Sequence, residues 1–419
     1  MRICVYGLWH LGTVTAACLA AQNGFEVVGL DADETRIAQL RRGEPPLYEP
    51  GLAELLQAGR LNFTSDLHAV SNAEIVWVTF DTPVDEDDQG DVGWVQGQVE
   101  RTFPYLAAGS TVLVSSQVPV GFTRSLEARY MEQFPDQRVS FACSPENLRL
   151  GSAIRAFTQP DRVVIGVRHP DDQAILGRLF APFTDRIEWM NVESAEMTKH
   201  AINAFLALSI TFTNEIARLC EQVGADAAEV ERGLRSEARI GAKAYVKPGG
   251  AFSGGTLARD VAFLGALADS RDVPIPVLSA VPVSNGAHKL WAFHRATELL
   301  GTLHGVTIAV LGLTYKPNTD TLRRSSAVEL CREFSRAGAH VQAYDPLVKA
   351  LPDELRDMID LKSSWRDAVT GAQAVVVATE WAEFREIDPA AFAPDTLILD
   401  ANRWLAGAAG VHYYTVGKP

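Results

Sequence analysis

Several stretches of this 419-residue chain carry residue types suited to binding phosphate and moving protons. Gly7-Leu-Trp-His-Leu-Gly12 stands where an apolar run gives way to a helical pattern, and Asp31 follows about 20 residues later. Glycines at such a turn let the backbone approach a pyrophosphate resting on the helix N-terminus. A carboxylate at the end of the next strand accepts ribose hydroxyls and repels a 2′-phosphate, so Asp31 predicts NAD in preference to NADP. Trp9 replaces the middle glycine of the G-x-G-x-x-G pattern. An ordinary tight turn in a domain without cofactor is the alternative reading. Farther along, Lys199 and Asn203 lie four residues apart, on one face of a helix. Glu146 and Asp260 are carboxylates of the kind that act in proton transfer. Each also has a plain structural reading: Glu146 capping a helix, Lys199 on a solvated face, Asp260 starting a helix. Lys316 and Arg323 supply cations suited to a diphosphate. The glycine-rich run Pro248-Gly-Gly-Ala-Phe-Ser-Gly-Gly-Thr-Leu-Ala-Arg-Asp260 carries two hydroxyls, Ser253 and Thr256, the second four residues before the closing carboxylate.

The elements that must position these groups follow from hydrophobic patterning. Residues 2–6 form a short apolar run, a helical pattern spans about Gly12 to Asn23, and Glu26 to Leu30 forms a second run ending at Asp31, a βαβ unit. Runs at 74–79, 111–115 and 138–142, separated by helical stretches, continue a doubly wound parallel sheet. From about Ser194 to Val223 the chain reads as one long helix, and helical segments continue to about 299, interrupted by the glycine-rich loop. A third region repeats the first: Thr307-Ile-Ala-Val-Leu-Gly312, a helix near 326–337, a strand at 340–344 ending in Asp345, then strands at 374–378 and 396–400. The expected fold is α/β, with Rossmann-like doubly wound domains at 1–193 and 300–419 flanking a helical domain at 194–299.

Composition narrows the class. Hydrophobic residues at 47% and charged residues at 21% describe a soluble globular chain. The absence of any apolar run near the roughly 20 residues needed to span a bilayer, and a strand at the very start, predict a cytoplasmic protein that engages no membrane. A net charge of −14 argues against nucleic acid as a partner. The five cysteines, Cys4, Cys18, Cys143, Cys220 and Cys331, have no C-x-x-C or metal-ligand spacing, so buried free thiols and no metal site are expected.

Taken together, the motifs resemble those of the UDP-glucose/GDP-mannose dehydrogenase family over essentially the whole chain. The loop 248–260 aligns without a gap with PGxGFGGSCFPKD, Gly43–Gly51 is similar to GxxPxxEPGL, and Asp81-Thr82-Pro83 matches a cofactor-lining TP turn. Ser116-Gln-Val-Pro-Val-Gly121 resembles STVPVG, with Gln117 in the place of threonine, and Ser144–Ala153 resembles NPEFLREGxA. Arg239-Ile-Gly241 before Tyr245 resembles RIGxxF/Y, Lys316 the lysine of FKxxTDD with Arg323 the arginine after it, and Thr379–Phe384 resembles TEWxxF.

The resemblance implies roles. Gly7, Leu11, Gly12, Asp31, Thr82, Pro83, Gln117 and Arg323 would hold NAD. Lys199 and Asn203 would stabilise negative charge on a sugar oxygen, Glu146 would handle water or a proton, and Asp260 would position a water. Leu148, Tyr245, Phe252, Gly255 and Lys316 would bind a nucleotide-diphosphate sugar, UDP-linked in preference to GDP-linked, with Arg239 reaching the site of a neighbour in a homodimer or larger homo-oligomer. The family's catalytic cysteine falls on Thr256. A thiol ionises near pH 8.5 and is readily tuned, whereas an alcohol is far harder to ionise. The family chemistry takes an alcohol through an aldehyde to an acid. The expectation is therefore a single two-electron oxidation. A cysteine-free four-electron route, a redox-neutral use of NAD and a non-catalytic nucleotide-sugar-binding relative remain alternatives.

Overall fold

A computed structural model of the chain describes all residues except 59, 84–89, 147, 149, 254, 389–390, 406–411 and 419. Contacts divide it into two units, Met1–Ile202 and Asn203–Pro419. The helical region after 203 groups with the C-terminal sheet.

The first unit is built on β1 (Arg2–Tyr6), β2 (Glu26–Leu30), β3 (Leu61–Thr64), β4 (Ile75–Val78), β5 (Thr111–Val114), β6 (Ser140–Cys143), β7 (Val163–Gly166) and β8 (Ile187–Met190). Their spatial order is β3-β2-β1-β4-β5-β6-β7-β8. All pairs are parallel except β6 with β7, which meet antiparallel at Cys143 and Gly166. Strand β1 shows why its run is apolar throughout. Ile3 and Val5 enter the core on one face of the sheet, Cys4 and Tyr6 the core on the other, so both sides of the pleat are buried.

The second unit repeats the plan with β9 (Thr307–Leu311), β10 (His340–Tyr344), β11 (Ile359–Leu361), β12 (Ala374–Val377), β13 (Leu397–Asp400) and β14 (Tyr413–Tyr414), ordered β11-β10-β9-β12-β13-β14. Every pair here is parallel. In both sheets the winding direction reverses beside the first strand, which leaves a crevice beyond the carboxyl ends of β1/β4 and of β9/β12.

The long helix runs Val192–Val223. Asn191 caps it by accepting the Ser194 N–H at 2.8 Å, and Gly224 ends it at φ 75°, the left-handed position that glycine adopts without strain. It starts in the first unit and continues into the second, which adds helices Ala227–Ser236, Thr256–Ser270, Pro276–Lys289 and Trp291–Leu300. All five cysteines are buried and unpaired. No helix among the described residues is long and apolar enough to cross a membrane.

Candidate functional site

In the first unit the expected residues gather at the carboxyl edge of the sheet. Gly7 follows β1, Asp31 follows β2, Thr82 lies just past β4, Gln117 past β5 and Glu146 past β6. Gly7 adopts φ 99°, and a Cβ there would sit 2.6 Å from the Phe80 ring; one on Gly12 would sit 1.8 Å from the Gly7 carbonyl oxygen. These two glycines therefore let the first helix, His10–Ala20, start tight against the strand. The N-cap residue of that helix, Trp9, makes no side-chain capping hydrogen bond among the described residues. The Leu11 side chain is buried in the core, so only its backbone amide, in the first turn, can face a ligand. Asp31 is buried: its Oδ2 accepts from Leu8 N at 2.7 Å and Arg36 Nη1 at 3.0 Å, and its Oδ1 accepts from Asp33 N at 3.0 Å. Arg36 is a cation that sequence reasoning missed.

Thr82 Oγ1 donates to the Gln117 carbonyl at 2.5 Å, tying the loops after β4 and β5 together, while Pro83 is exposed. Gln117, Cys143, Glu146, Glu196, Lys199 and His200 all line one small cavity of about 20 Å³. Lys199 Nζ donates to the Glu146 backbone carbonyl at 2.7 Å and lies 3.8 Å from Glu146 Oε1, while Glu146 Oε2 accepts from Leu148 N at 2.6 Å. The Leu148 side chain packs toward the core. Glu196 accepts from Gly121 N and Thr123 N, and His200 Nε2 meets the Val118 carbonyl at 3.0 Å, which fastens the long helix to the loop after β5. Cys143 cannot supply a nucleophile here. Burial and the nearby Glu196 carboxylate push its thiol well above the ordinary range, so no thiolate forms near neutral pH. Asn147 and Arg149 of the same motif lie outside the described residues.

In the second unit Asn203 donates to the Asp260 carboxylate, and both are buried. Asp260 lies inside helix Thr256–Ser270, which begins four residues earlier than the reading of Asp260 as a helix start would place it. Gly255 is its N-cap and Thr256 its first residue, exposed and with no hydrogen-bond partner among the described residues. The preceding loop is held by its backbone. Asn214 accepts from Gly249 N and donates to the Gly250 carbonyl, Asn402 accepts from Gly250 N at 2.7 Å, and Asn285 pairs with both Phe252 N and O at 3.0 and 2.9 Å. His288 Nε2 meets the Gly249 carbonyl at 2.7 Å, and burial lowers its pKa to about 4, so it donates there as the neutral ring. None of these four clamping side chains was anticipated.

The clamped loop walls a cavity of about 560 Å³, into which Tyr245, Phe252 and Lys316 face together with Lys247, Ser326 and Glu380. Burial raises the Glu380 carboxyl above its ordinary range. Arg239 is not among the cavity's lining residues; its side chain is 88% exposed and pairs with Glu237 at 2.9 Å. Arg323 is exposed as well. Asp345, the counterpart of Asp31 after β10, accepts from Leu313 N, Thr314 N, Thr314 Oγ1 and Trp381 Nε1 through one oxygen, and from Leu347 N and Val348 N through the other. Its acceptor capacity is filled by the fold itself.

Comparison with known proteins turns this architecture into a lineage. Residues 1–184 match the model described as the UDP-glucose/GDP-mannose dehydrogenase family, NAD binding domain; 193–287 match its central domain and 309–406 its UDP binding domain. The chain belongs to the UDP-glucose/GDP-mannose dehydrogenase family. It is 37% identical to a UDP-glucose 6-dehydrogenase of Pseudomonas aeruginosa over 410 residues, covering 93% of this chain and 89% of that protein. It is 33% identical to the UDP-glucose 6-dehydrogenase TuaD of Bacillus subtilis, covering 100% and 93%. Among solved structures, a UDP-glucose dehydrogenase of Pyrobaculum islandicum superposes with a TM-score of 0.86 at 29% identity, covering 100% of this chain and 98% of that one.

As a member of this family the chain is an NAD-dependent nucleotide-sugar dehydrogenase, and its cofactor is NAD. The residues present fit that group. The uncapped helix start at Gly7–Gly12 suits a pyrophosphate, and Asp31, unlike Asp345, keeps a lone pair for a ribose hydroxyl. Among the described residues no cluster of His, Cys, Asp or Glu is placed to hold a metal ion.

Proposed function

We propose that this family member oxidises one hydroxyl of a UDP-linked sugar by a single two-electron step and releases the aldehyde or ketone. Residues 1–193 would hold NAD, 300–419 the nucleotide, and 194–299 would supply the helices joining them. The UDP preference rests on the match of 309–406 to a UDP binding domain, and on the cationic Lys247 and Lys316 in the 560 Å³ cavity. In the reaction the sugar carbinol loses a hydride and a proton, and NAD when bound takes up the hydride. The chain's own part is to hold the sugar oxygen and take up its proton, which would pass to Glu146 or to a water positioned by Asp260. Lys199, anchored on the Glu146 carbonyl, and Asn203, anchored on Asp260, lie one helical turn apart and would present N–H donors to the developing oxyanion.

The observation that carries the single step is Thr256. A second oxidation through a covalent thiohemiacetal needs a thiolate. Thr256 offers an alcohol with no base within hydrogen-bonding distance among the described residues, and the one cysteine beside Glu146 and Lys199 is buried and neutral. Gln117, in place of a threonine, removes a second group that serves the later half of the family's chemistry. The test is stoichiometry: NADH counted against product mass over a panel of UDP-sugars. One NADH and a carbonyl product per sugar are expected. Two NADH and a uronic acid would overturn the proposal and establish a cysteine-free route.

We also propose a homodimer built on the long helix. Phe205, Phe212 and Leu219 recur on it every seven residues and are 64%, 47% and 61% exposed. Arg239, outside its own chain's cavity, would reach the partner's site.

A further inference from the structure

Trp9 is the residue at the cofactor turn that family membership leaves unexplained. Its backbone is extended, φ −81° and ψ −152°, a conformation open to any residue, so a side chain in place of glycine brings bulk and no strain. The indole is 39% exposed. The Arg36 guanidinium carbon lies 5.0 Å from its ring centroid, a cation–π stack. Arg36 in turn pairs with Asp31 Oδ2 at 3.0 Å and Asp33 Oδ2 at 3.3 Å. A continuous chain thus runs from the N-terminus of helix His10–Ala20 through the indole and the guanidinium to the carboxylate at the end of β2.

The adenosine half of a dinucleotide needs the same path. Its pyrophosphate rests on the helix start, its ribose on the strand-end carboxylate, and the sugar lies between them. A carboxylate offers about four lone-pair sites, and three of those on Asp31 are taken, one of them by the guanidinium that Trp9 covers. A ribose diol needs two acceptors at once, and by the partners among the described residues only one is open while Arg36 stays under the indole.

The geometry points to Trp9 as the residue that sets cofactor affinity: with Arg36 it closes the adenosine half of the NAD site, and NAD binds by lifting the indole off the guanidinium. This rests on the assignment of residues 1–193 to NAD. Affinity is accordingly lower than glycine at position 9 would give, and the deficit lies wholly in the adenosine half.

The test is calorimetric titration of the full-length protein, wild type against Trp9→Gly and Trp9→Ala, with NAD, ADP-ribose and nicotinamide mononucleotide as separate probes. Glycine is among the residues favoured at a helix N-cap, so the glycine variant keeps the helix start, and the alanine variant guards against added chain flexibility. Both variants are expected to bind NAD and ADP-ribose about tenfold tighter or better, with the mononucleotide unchanged. Equal or weaker binding of ADP-ribose by both variants overturns the role of Trp9 and leaves NAD binding standing. Failure of wild type and variants alike to bind NAD overturns the cofactor site itself.

Discussion

Lys199 carries an ammonium with three donors, and the Glu146 carbonyl engages one of them at 2.7 Å. The remaining donors are held by that anchor in a half-buried position, where a charge aimed at a developing oxyanion acts far more strongly than in water. Lys199→Ala is therefore expected to lower kcat by about 10²–10³ while UDP-sugar affinity stays within a few-fold. Steady-state kinetics beside UDP-sugar titration separates the two, and an unchanged kcat would return Lys199 to a merely structural place. At this scale motif and spacing single out Asp31, Lys199 and Asp260, and the structure shows their partners: Lys199 on the Glu146 carbonyl, Asp260 on Asn203 and Asp31 on Leu8 N. The sequence could not distinguish Asp31 from Asp345, since both end the second strand of a Rossmann-like unit; only their hydrogen-bond partners show one filled and the other partly open. Nor could it find Asn214, Asn285 and His288. Their role is set by loop carbonyls and amides more than 30 residues away in sequence, and on a helix such residues read as ordinary polar positions.

The elements that were legible are those buried on both faces. Strands β1, β2, β4, β5, β6, β9, β10, β12 and β13 stand out as apolar runs because helices cover both sides of each sheet. The missed strands β3, β8, β11 and β14 are the four sheet edges, where residues such as Asn62, Glu188 and Asp360 break the run; β7, an interior strand, was missed as well. Two predictions belong here. Arg168, in the loop after β7, binds Glu193 through Nη1 and Nη2 at 2.7 and 2.6 Å and Glu127 through Nε at 2.9 Å, which fastens the first turn of the long helix to the first unit. Hydrogen bonding to Arg168 lowers the Glu193 pKa from 4.5 to about 2. A depressed carboxylate stabilises the fold fully above its unfolded pKa, and that contribution is lost as pH falls through the folded value. Arg168→Ala is thus expected to lower Tm by roughly 2–6 °C at pH 7, with the gap to wild type narrowing as pH drops from about 4.5 toward 2. Melting curves across that range check it; a gap independent of pH would mean that the ion pair is not its source. The second concerns the loop clamp. Asn285→Ala strips partners from both Phe252 N–H and its carbonyl, each worth about 1–3 kcal/mol when buried. Faster amide exchange at 249–253 and at least fivefold weaker UDP binding are expected, against unchanged NAD binding.

A monomer of this chain would leave the apolar stripe Phe205, Phe212, Leu219 and Val223 in water along the long helix, with Val277 and Val283 exposed on helix Pro276–Lys289. Large apolar side chains scattered singly need no explanation, but a row repeating every seven residues is the pattern of a helix that packs against another. The chain's net charge of −14 makes association of two copies unfavourable unless apolar burial outweighs the repulsion, and these side chains offer that burial. Light scattering is accordingly expected to give twice the 45.5 kDa of one chain at micromolar concentration. Phe205→Glu with Phe212→Glu should yield monomers, because two carboxylates per chain would be forced into the contact. The proposed reach of Arg239 would make the oligomer a matter of catalysis as well as mass: among the described residues its exposed guanidinium pairs with Glu237 alone, and it is not among the residues lining its own chain's cavity. If it serves the partner's site, Arg239→Ala and Lys199→Ala chains are each impaired alone. Co-expressed, they form hybrid dimers in which one site draws Lys199 from the first chain and Arg239 from the second. Purified hybrids should recover about half of wild-type turnover per dimer, a complementation that Arg239 acting within its own chain would forbid. Hybrids no more active than the two parents would place Arg239 on the surface alone and confine the long helix to assembly.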